Sequence, residues 1–160
     1  MVNFTKEECN KIISLSNIFE KHLSNEWWES NETIYFAWHL ERNEMTEWIF
    51  ERLLKFIETN TNIKLIKPLN LIHLQNVKTG NKFEPHVDKH SLRNIGVCLN
   101  DDYEGGELIC YNPKLVLPKT TGNIYTFYGS KLHEVTEVTY GERWSLIAFL
   151  SKDFFNKKLL

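Results

Sequence analysis

The feature that most constrains the fold of this chain is a change of texture at about residue 62. Beyond it, short segments rich in β-branched and aromatic residues recur at close intervals, separated by turn residues. Candidate strands run over 63–67, 70–77, 82–88, 94–99, 107–111, 123–128, 131–138 and 143–150. The breaks between them hold Thr79-Gly80-Asn81, Asp101-Asp102, Gly105-Gly106, Thr121-Gly122 and Tyr140-Gly141. Upstream the pattern is helical. Thr5-Lys6-Glu7-Glu8 has capping-box spacing, and Ile12, Ile13, Leu15 and Phe19 continue it as an apolar stripe. Asn43, Glu44 and Glu47 open a second helix whose buried face carries Met45, Ile49, Leu53 and Ile57. One strand, 33–40, lies between the helices. Helices followed by a run of antiparallel strands predict a mainly β fold with flanking helices, a sandwich or barrel carrying a helical layer on one outer face. Residues 1–160 then read as one domain, with 1–62 a helical support region and 63–152 the β core.

Composition narrows the function classes. At 160 residues, 42% hydrophobic and 13% aromatic, the chain builds a proper core. Nineteen basic side chains against 21 acidic ones argue against a broad phosphate-binding surface, so nucleic acid is disfavoured as a partner. No apolar run approaches the roughly 18 residues that span a bilayer. Met1 to Asn10 lacks the apolar centre of a signal peptide. Cys9, Cys98 and Cys110 are odd in number and form no C-x-x-C pair, which favours reduced, buried thiols in a cytoplasmic protein.

The residues that carry chemistry are scattered. His86 and Asp88 flank Val87, and on an extended strand they point to one face. Pro85 disfavours helix at Glu84, which supports a strand end there. His133 comes from a distant period-2 segment, KLHEVTEV. Two imidazoles and a carboxylate form a ligand set suited to Fe(II), with coordination positions left open for oxygen chemistry. H-x-D alone is a weak signal, and each histidine taken singly is more often a surface or core residue. His22, His39, His73 and His90 are assigned no site role.

Arg143 opens RWSLIAFL, where Arg143, Ser145, Ile147 and Phe149 share one face. The two apolar members turn that face toward the core, where a guanidinium needs an anionic partner. A bound dicarboxylate supplies one reading, with the Ser145 hydroxyl as a second donor. A salt bridge to Glu84 or Glu107 is the equal alternative. A hairpin turning at 139–142 would set Arg143 beside Val138, on the order of 16 Å along the sheet from His133.

Together these residues resemble the catalytic domain of the prolyl 4-hydroxylase-type 2-oxoglutarate and Fe(II)-dependent dioxygenases. The matching pieces are GNKFEPHVD at 80–88, LNDDYEGGEL at 99–108, Pro118, Gly122, Phe127, His133-Glu134-Val135, Val138 and GERWS at 141–145. The resemblance implies a double-stranded β-helix, or jelly roll. It assigns His86, Asp88 and His133 to Fe(II), and Arg143 to the distal carboxylate of the co-substrate 2-oxoglutarate. It implies a reaction consuming O2 and releasing succinate and CO2, with ascorbate a candidate reductant. Two departures stand out. Relatives often carry a tyrosine nine or ten residues before the first histidine, where this chain has Val77 and Asn76, and another just before the LN pair, where it has Cys98. Ser145 or Asn76 is then expected to rebuild the co-substrate contacts.

The resemblance points to proline in a peptide or protein as substrate. A free amino acid or small metabolite is the alternative within enzymes, and a catalytically silent metal- or ligand-binding jelly roll the alternative outside them. Nucleic-acid demethylases of this type usually carry a second arginine six residues after the first, and Phe149 stands there. Tyr35, Trp38 and Tyr103 are candidates to line the cleft, although Tyr35 and Trp38 fit strand packing better. The loop Lys89 to Asn94, with Arg93, is a candidate substrate contact.

Overall fold

The computed structural model describes residues 3–23 and 35–156, so the start of the 33–40 strand lies outside the described residues. Helix α1 (Lys6–Ser14) begins where its capping box places it. The Thr5 backbone N–H donates to Glu8 Oε2 at 2.8 Å, and the Glu8 N–H donates to Thr5 Oγ1 at 3.1 Å. Helix α2 (Glu47–Asn60) starts later than expected, because Asn43 makes a turn instead. Its Oδ1 accepts the Met45 N–H at 2.9 Å, and the Thr46 hydroxyl donates to the Glu41 carbonyl at 2.6 Å. Met45 is therefore exposed, while Ile49, Phe50, Leu53 and Ile57 are buried.

The strands are β1 (Lys21–Leu23), β2 (Phe36–Glu41), β3 (Leu71–Lys78), β4 (Phe83–His86), β5 (Arg93–Cys98), β6 (Glu104–Gly105), β7 (Leu108–Cys110), β8 (Leu115–Val116), β9 (Ile124–Tyr128), β10 (His133–Val135), β11 (Val138–Tyr140) and β12 (Glu142–Leu150). Among the described residues they form a six-stranded sheet, β1-β2-β3-β12-β5-β9, and a four-stranded sheet, β4-β10-β7-β8, with β11 and β6 paired beside them. All pairings are antiparallel. Two sheets with helices on one outer face are the jelly roll with its helical layer. The first 62 residues are not helical support alone, since β1 and β2 extend the large sheet. Residues 63–67 form no strand, only a bridge from Leu65 to Phe155.

The expected hairpin before Arg143 does not form. The 131–138 segment divides into β10 and β11, and β11 pairs with β6. Gly141, at φ +78°, turns the chain out of that pair and into the large sheet. There β12 lies between β3 and β5, and Arg143 stands opposite Val77.

Pleating then separates two environments along β12. Leu146, Ala148 and Leu150 pack with Ile12, Ile49, Phe50 and Leu53 in the main core, between the large sheet and the helices. Arg143, Ser145, Ile147 and Phe149 face the second sheet across a cleft. Trp38 belongs to the core side, stacked on Trp144 at 5.3 Å, so it does not line the cleft. Among the described residues, no helix is long and apolar enough to cross a membrane. Cys9, Cys98 and Cys110 are free and buried.

The cleft face of the large sheet also carries a row of rings. His22 and His39 stack at 4.7 Å, His39 meets His73 edge-on at 4.7 Å, and His73 meets Phe149 at 5.3 Å. Burial, reinforced by His39, pushes the His73 pKa down to about 4. Folded His73 thus stays neutral across a range where unfolded histidine, with a pKa of about 6.5, is protonated. Its contribution to stability is complete above about pH 6.5 and declines as pH falls toward about 4. Denaturant titrations across that window should show a loss on the order of 3 kcal/mol that His73→Phe largely removes. An identical pH slope in the variant would contradict this assignment.

Candidate active site

β4 and β10 pair so that His86 and His133 stand directly opposite each other, with ring centroids 4.3 Å apart. Asp88 lies just past the end of β4. Its N–H donates to the Gly129 carbonyl at 2.8 Å, which anchors the loop. Its carboxylate reaches both imidazoles, with Oδ1 3.5 Å from His86 Nε2 and Oδ2 3.4 Å from His133 Nε2. One donor atom from each of the three residues falls within 4.8 Å of the others. Ligands sharing one face of an octahedral ion stand about 3 Å apart, so a small contraction around a cation completes the set.

The hydrogen bonds behind these ligands fit a metal. His86 Nδ1 lies 2.6 Å from the Glu84 carbonyl, and His133 Nδ1 lies 2.7 Å from the Lys131 carbonyl. A carbonyl only accepts, so each Nδ1 carries the proton and each Nε2 presents its lone pair to the shared space. Burial works against the Asp88 charge, but the facing His133 and His86 rings prevail and hold the carboxyl well below the usual range, a negative charge that a cation between the three donors would share. Burial would also lower His86, and the Asp88 carboxylate with the Glu84 carbonyl raises it instead. Asn94 adds a support that sequence reasoning missed. Its side chain is fully buried, and Nδ2 donates to Asp88 Oδ2 at 2.5 Å. The clue was parity, because Asn94 stands opposite Phe149 on the cleft face.

Arg143 lines the same cleft and is 3% exposed. Asn100 fixes the backbone on either side of it, donating to the Glu142 carbonyl and accepting from the Trp144 N–H, both at 2.7 Å. The guanidinium donates from NH1 to Ser145 Oγ at 3.0 Å, while its Nε has no partner. Among the described residues, no carboxylate forms an ion pair with it. Burial opposes its charge, and Tyr125, Tyr103 and Cys98 offset that. The salt bridge expected as an alternative is absent, since Glu84 pairs with Lys82 at 2.7 Å and Glu107 is exposed. A buried cation with an unpaired N–H calls for an anion in the cleft.

The other candidate residues separate by strand face. Ser145 lines the cleft beside Arg143, and its cross-strand neighbour Gln75, which sequence reasoning missed, lines it too. Asn76 does not. It pairs with Trp144 in the register and so faces the helix side, where Nδ2 donates to Glu142 Oε2 at 3.3 Å. Tyr35 lines the cleft, edge-on to Phe83 at 4.6 Å, and burial with the nearby Asp88 charge pushes its pKa up to about 12. Arg93 is occupied elsewhere, its Nε donating to Thr126 Oγ1 at 2.9 Å and its guanidinium stacked over Tyr128.

Comparison with known proteins places this geometry. The sequence model of the 2OG-Fe(II) oxygenase superfamily matches residues 72–151, half of the chain. No curated protein matches the sequence. Among solved structures, an oxidoreductase of the 2OG-Fe(II) oxygenase family from Burkholderia pseudomallei aligns at TM-score 0.72 and 16% identity, covering 96% of this chain and 84% of that one. A prolyl-4-hydroxylase from Pseudomonas putida aligns at TM-score 0.67 and 14% identity, covering 94% and 86%. A Trichoplax adhaerens prolyl hydroxylase, solved with a hypoxia inducible factor peptide fragment, aligns at TM-score 0.71 and 14% identity, covering 89% and 76%.

Proposed function

Because this chain belongs to the 2OG-Fe(II) oxygenase superfamily, we propose that it is an Fe(II)- and 2-oxoglutarate-dependent dioxygenase that hydroxylates proline within a peptide or protein. One observation carries the reading: the His86, Asp88 and His133 donors converge in the same cleft as a buried, anion-seeking Arg143. His86, Asp88 and His133 would hold the iron, and Arg143 with Ser145 would hold the distal carboxylate of 2-oxoglutarate. When bound, the iron and keto acid supply oxidative decarboxylation coupled to C–H hydroxylation, yielding succinate and CO2.

The protein's part is positional. The Glu84 and Lys131 carbonyls orient the imidazoles, and Asn94 orients Asp88. Phe127 packs edge-on against His133 at 4.7 Å and, with Leu108 and Val135, makes an apolar wall that excludes water. Tyr35, Phe83 and Phe149 give the cleft aromatic walls suited to a pyrrolidine ring. The peptide fragment bound by the Trichoplax relative supports a chain substrate rather than a free amino acid.

The test is succinate release with a panel of proline-containing peptides, free proline and no substrate. Stimulation by peptides above the uncoupled background is expected. Stimulation by free proline alone would replace the peptide with a small metabolite. No succinate under any condition would favour a silent binding module.

A further inference from the structure

The cleft contains a phenol placed by a glycine 29 residues away in sequence. Tyr125 of β9 is the cross-strand partner of Gly96 in β5. A Cβ added at Gly96 would stand 2.2 Å from Tyr125 Cζ and 2.4 Å from its hydroxyl oxygen. Gly96 is not among the glycines with positive φ, so its backbone suits any residue. Its role is space: the ring lies across the bare backbone of β5, directed toward β12. Every other residue type would lift the ring away.

That placement brings Tyr125 to Arg143. The two side chains line both the main cleft and the smaller cavity behind it, whereas Tyr103 lines only the smaller one. A phenol beside a guanidinium accepts from it, and its own proton remains free to donate. No acceptor for that O–H is found among the described residues, although Tyr125 is only 8% exposed. Cys98, the cross-strand neighbour of Ser145, is engaged elsewhere, its thiol donating to the Pro118 carbonyl at 3.6 Å. Burial pushes the Tyr125 pKa up to about 12, so the phenol remains a donor at physiological pH.

Resting on the function proposed above, we propose that Tyr125, seated over Gly96, donates its phenol O–H to the same 2-oxoglutarate carboxylate that Arg143 pairs with. A carboxylate offers about four lone-pair sites. A forked guanidinium fills two, and the Ser145 hydroxyl and Tyr125 phenol complete the shell in a cavity where unfilled sites are costly. The donor set then reads the keto acid's distal end and contributes nothing to holding iron. Gly96 is a positioning residue, acting only through the ring it admits.

Calorimetric titration of 2-oxoglutarate into Mn(II)-loaded protein, where no turnover occurs, tests this. Tyr125→Phe should weaken 2-oxoglutarate binding by about ten-fold, the usual effect of one lost hydrogen bond to a charged group. Mn(II) affinity and the unfolding midpoint should stay unchanged. Binding of 2-oxobutyrate, which lacks the distal carboxylate, should also be unaffected. Gly96→Ala should weaken 2-oxoglutarate binding at least as much, because it displaces the ring. Wild-type affinity in Tyr125→Phe, or equal losses for the two keto acids, would overturn the proposal. Failure of the wild-type protein to bind 2-oxoglutarate would instead remove the oxygenase reading, and this inference with it.

Discussion

Asp88→Ala is expected to lower turnover by at least about a thousand-fold, into the assay background, while the protein stays folded. The carboxylate is the only anionic member of the His86–Asp88–His133 set, and it sits between the two Nε2 atoms at 3.5 and 3.4 Å. Its loss leaves two neutral imidazoles, too few and too weakly charged to retain a divalent ion against water. The fold has less at stake. Asp88 lies past the end of β4 rather than in the main core, and its removal chiefly strands the Asn94 amide that donated to it. One buried donor left without a partner costs about 1–3 kcal/mol, a modest part of typical domain stability. Substantial residual activity, with unfolding curves displaced by no more than that, would remove Asp88 from the ligand set.

Arg143→Ala should act on a different quantity. The 2-oxoglutarate concentration needed for half-maximal rate should rise by roughly a hundred-fold or more, corresponding to about 3 kcal/mol for a desolvated, charge-assisted pair. Metal affinity should change little, because none of the three metal-site side chains bonds to Arg143. Its hydrogen bond runs to Ser145, and its charge is supported by Tyr125, Tyr103 and Cys98. Parallel loss of metal and co-substrate binding would mean that Arg143 is a structural prop for the cleft.

The parts of this site legible in the sequence were those governed by local periodicity. His86 and Asp88 are two residues apart beside a proline, and the period-2 character of the His133 segment placed it on a strand. Their meeting depends on the β4–β10 pairing, for which the family resemblance was the only guide in the sequence. The capping box fixed the start of α1, whereas the Asn43 turn delayed α2 by satisfying backbone groups without helix. Asn76 falls on the face away from the cleft, which counting back from His86 misses because it takes no account of the pleat. Its even-numbered position shares the helix-side face with Trp144, while Gln75 takes the cleft side. No hairpin precedes Arg143: Gly141 at φ +78° marks a turn without specifying which sheet the chain enters next. Tyr125 was invisible for a related reason: its position depends on Gly96, and no spacing rule links residues joined only by cross-strand register.

In the proposed function, two imidazoles and one carboxylate share a single ion with 2-oxoglutarate held beside it. Anaerobic addition of Fe(II) and 2-oxoglutarate tests this directly, since a keto acid chelated to ferrous iron gives a weak visible charge-transfer absorption. This band should appear with the wild-type protein, saturate at one iron per chain, and be absent from His133→Ala. No band with wild-type protein at saturating iron and 2-oxoglutarate, or an undiminished band in His133→Ala, would contradict it.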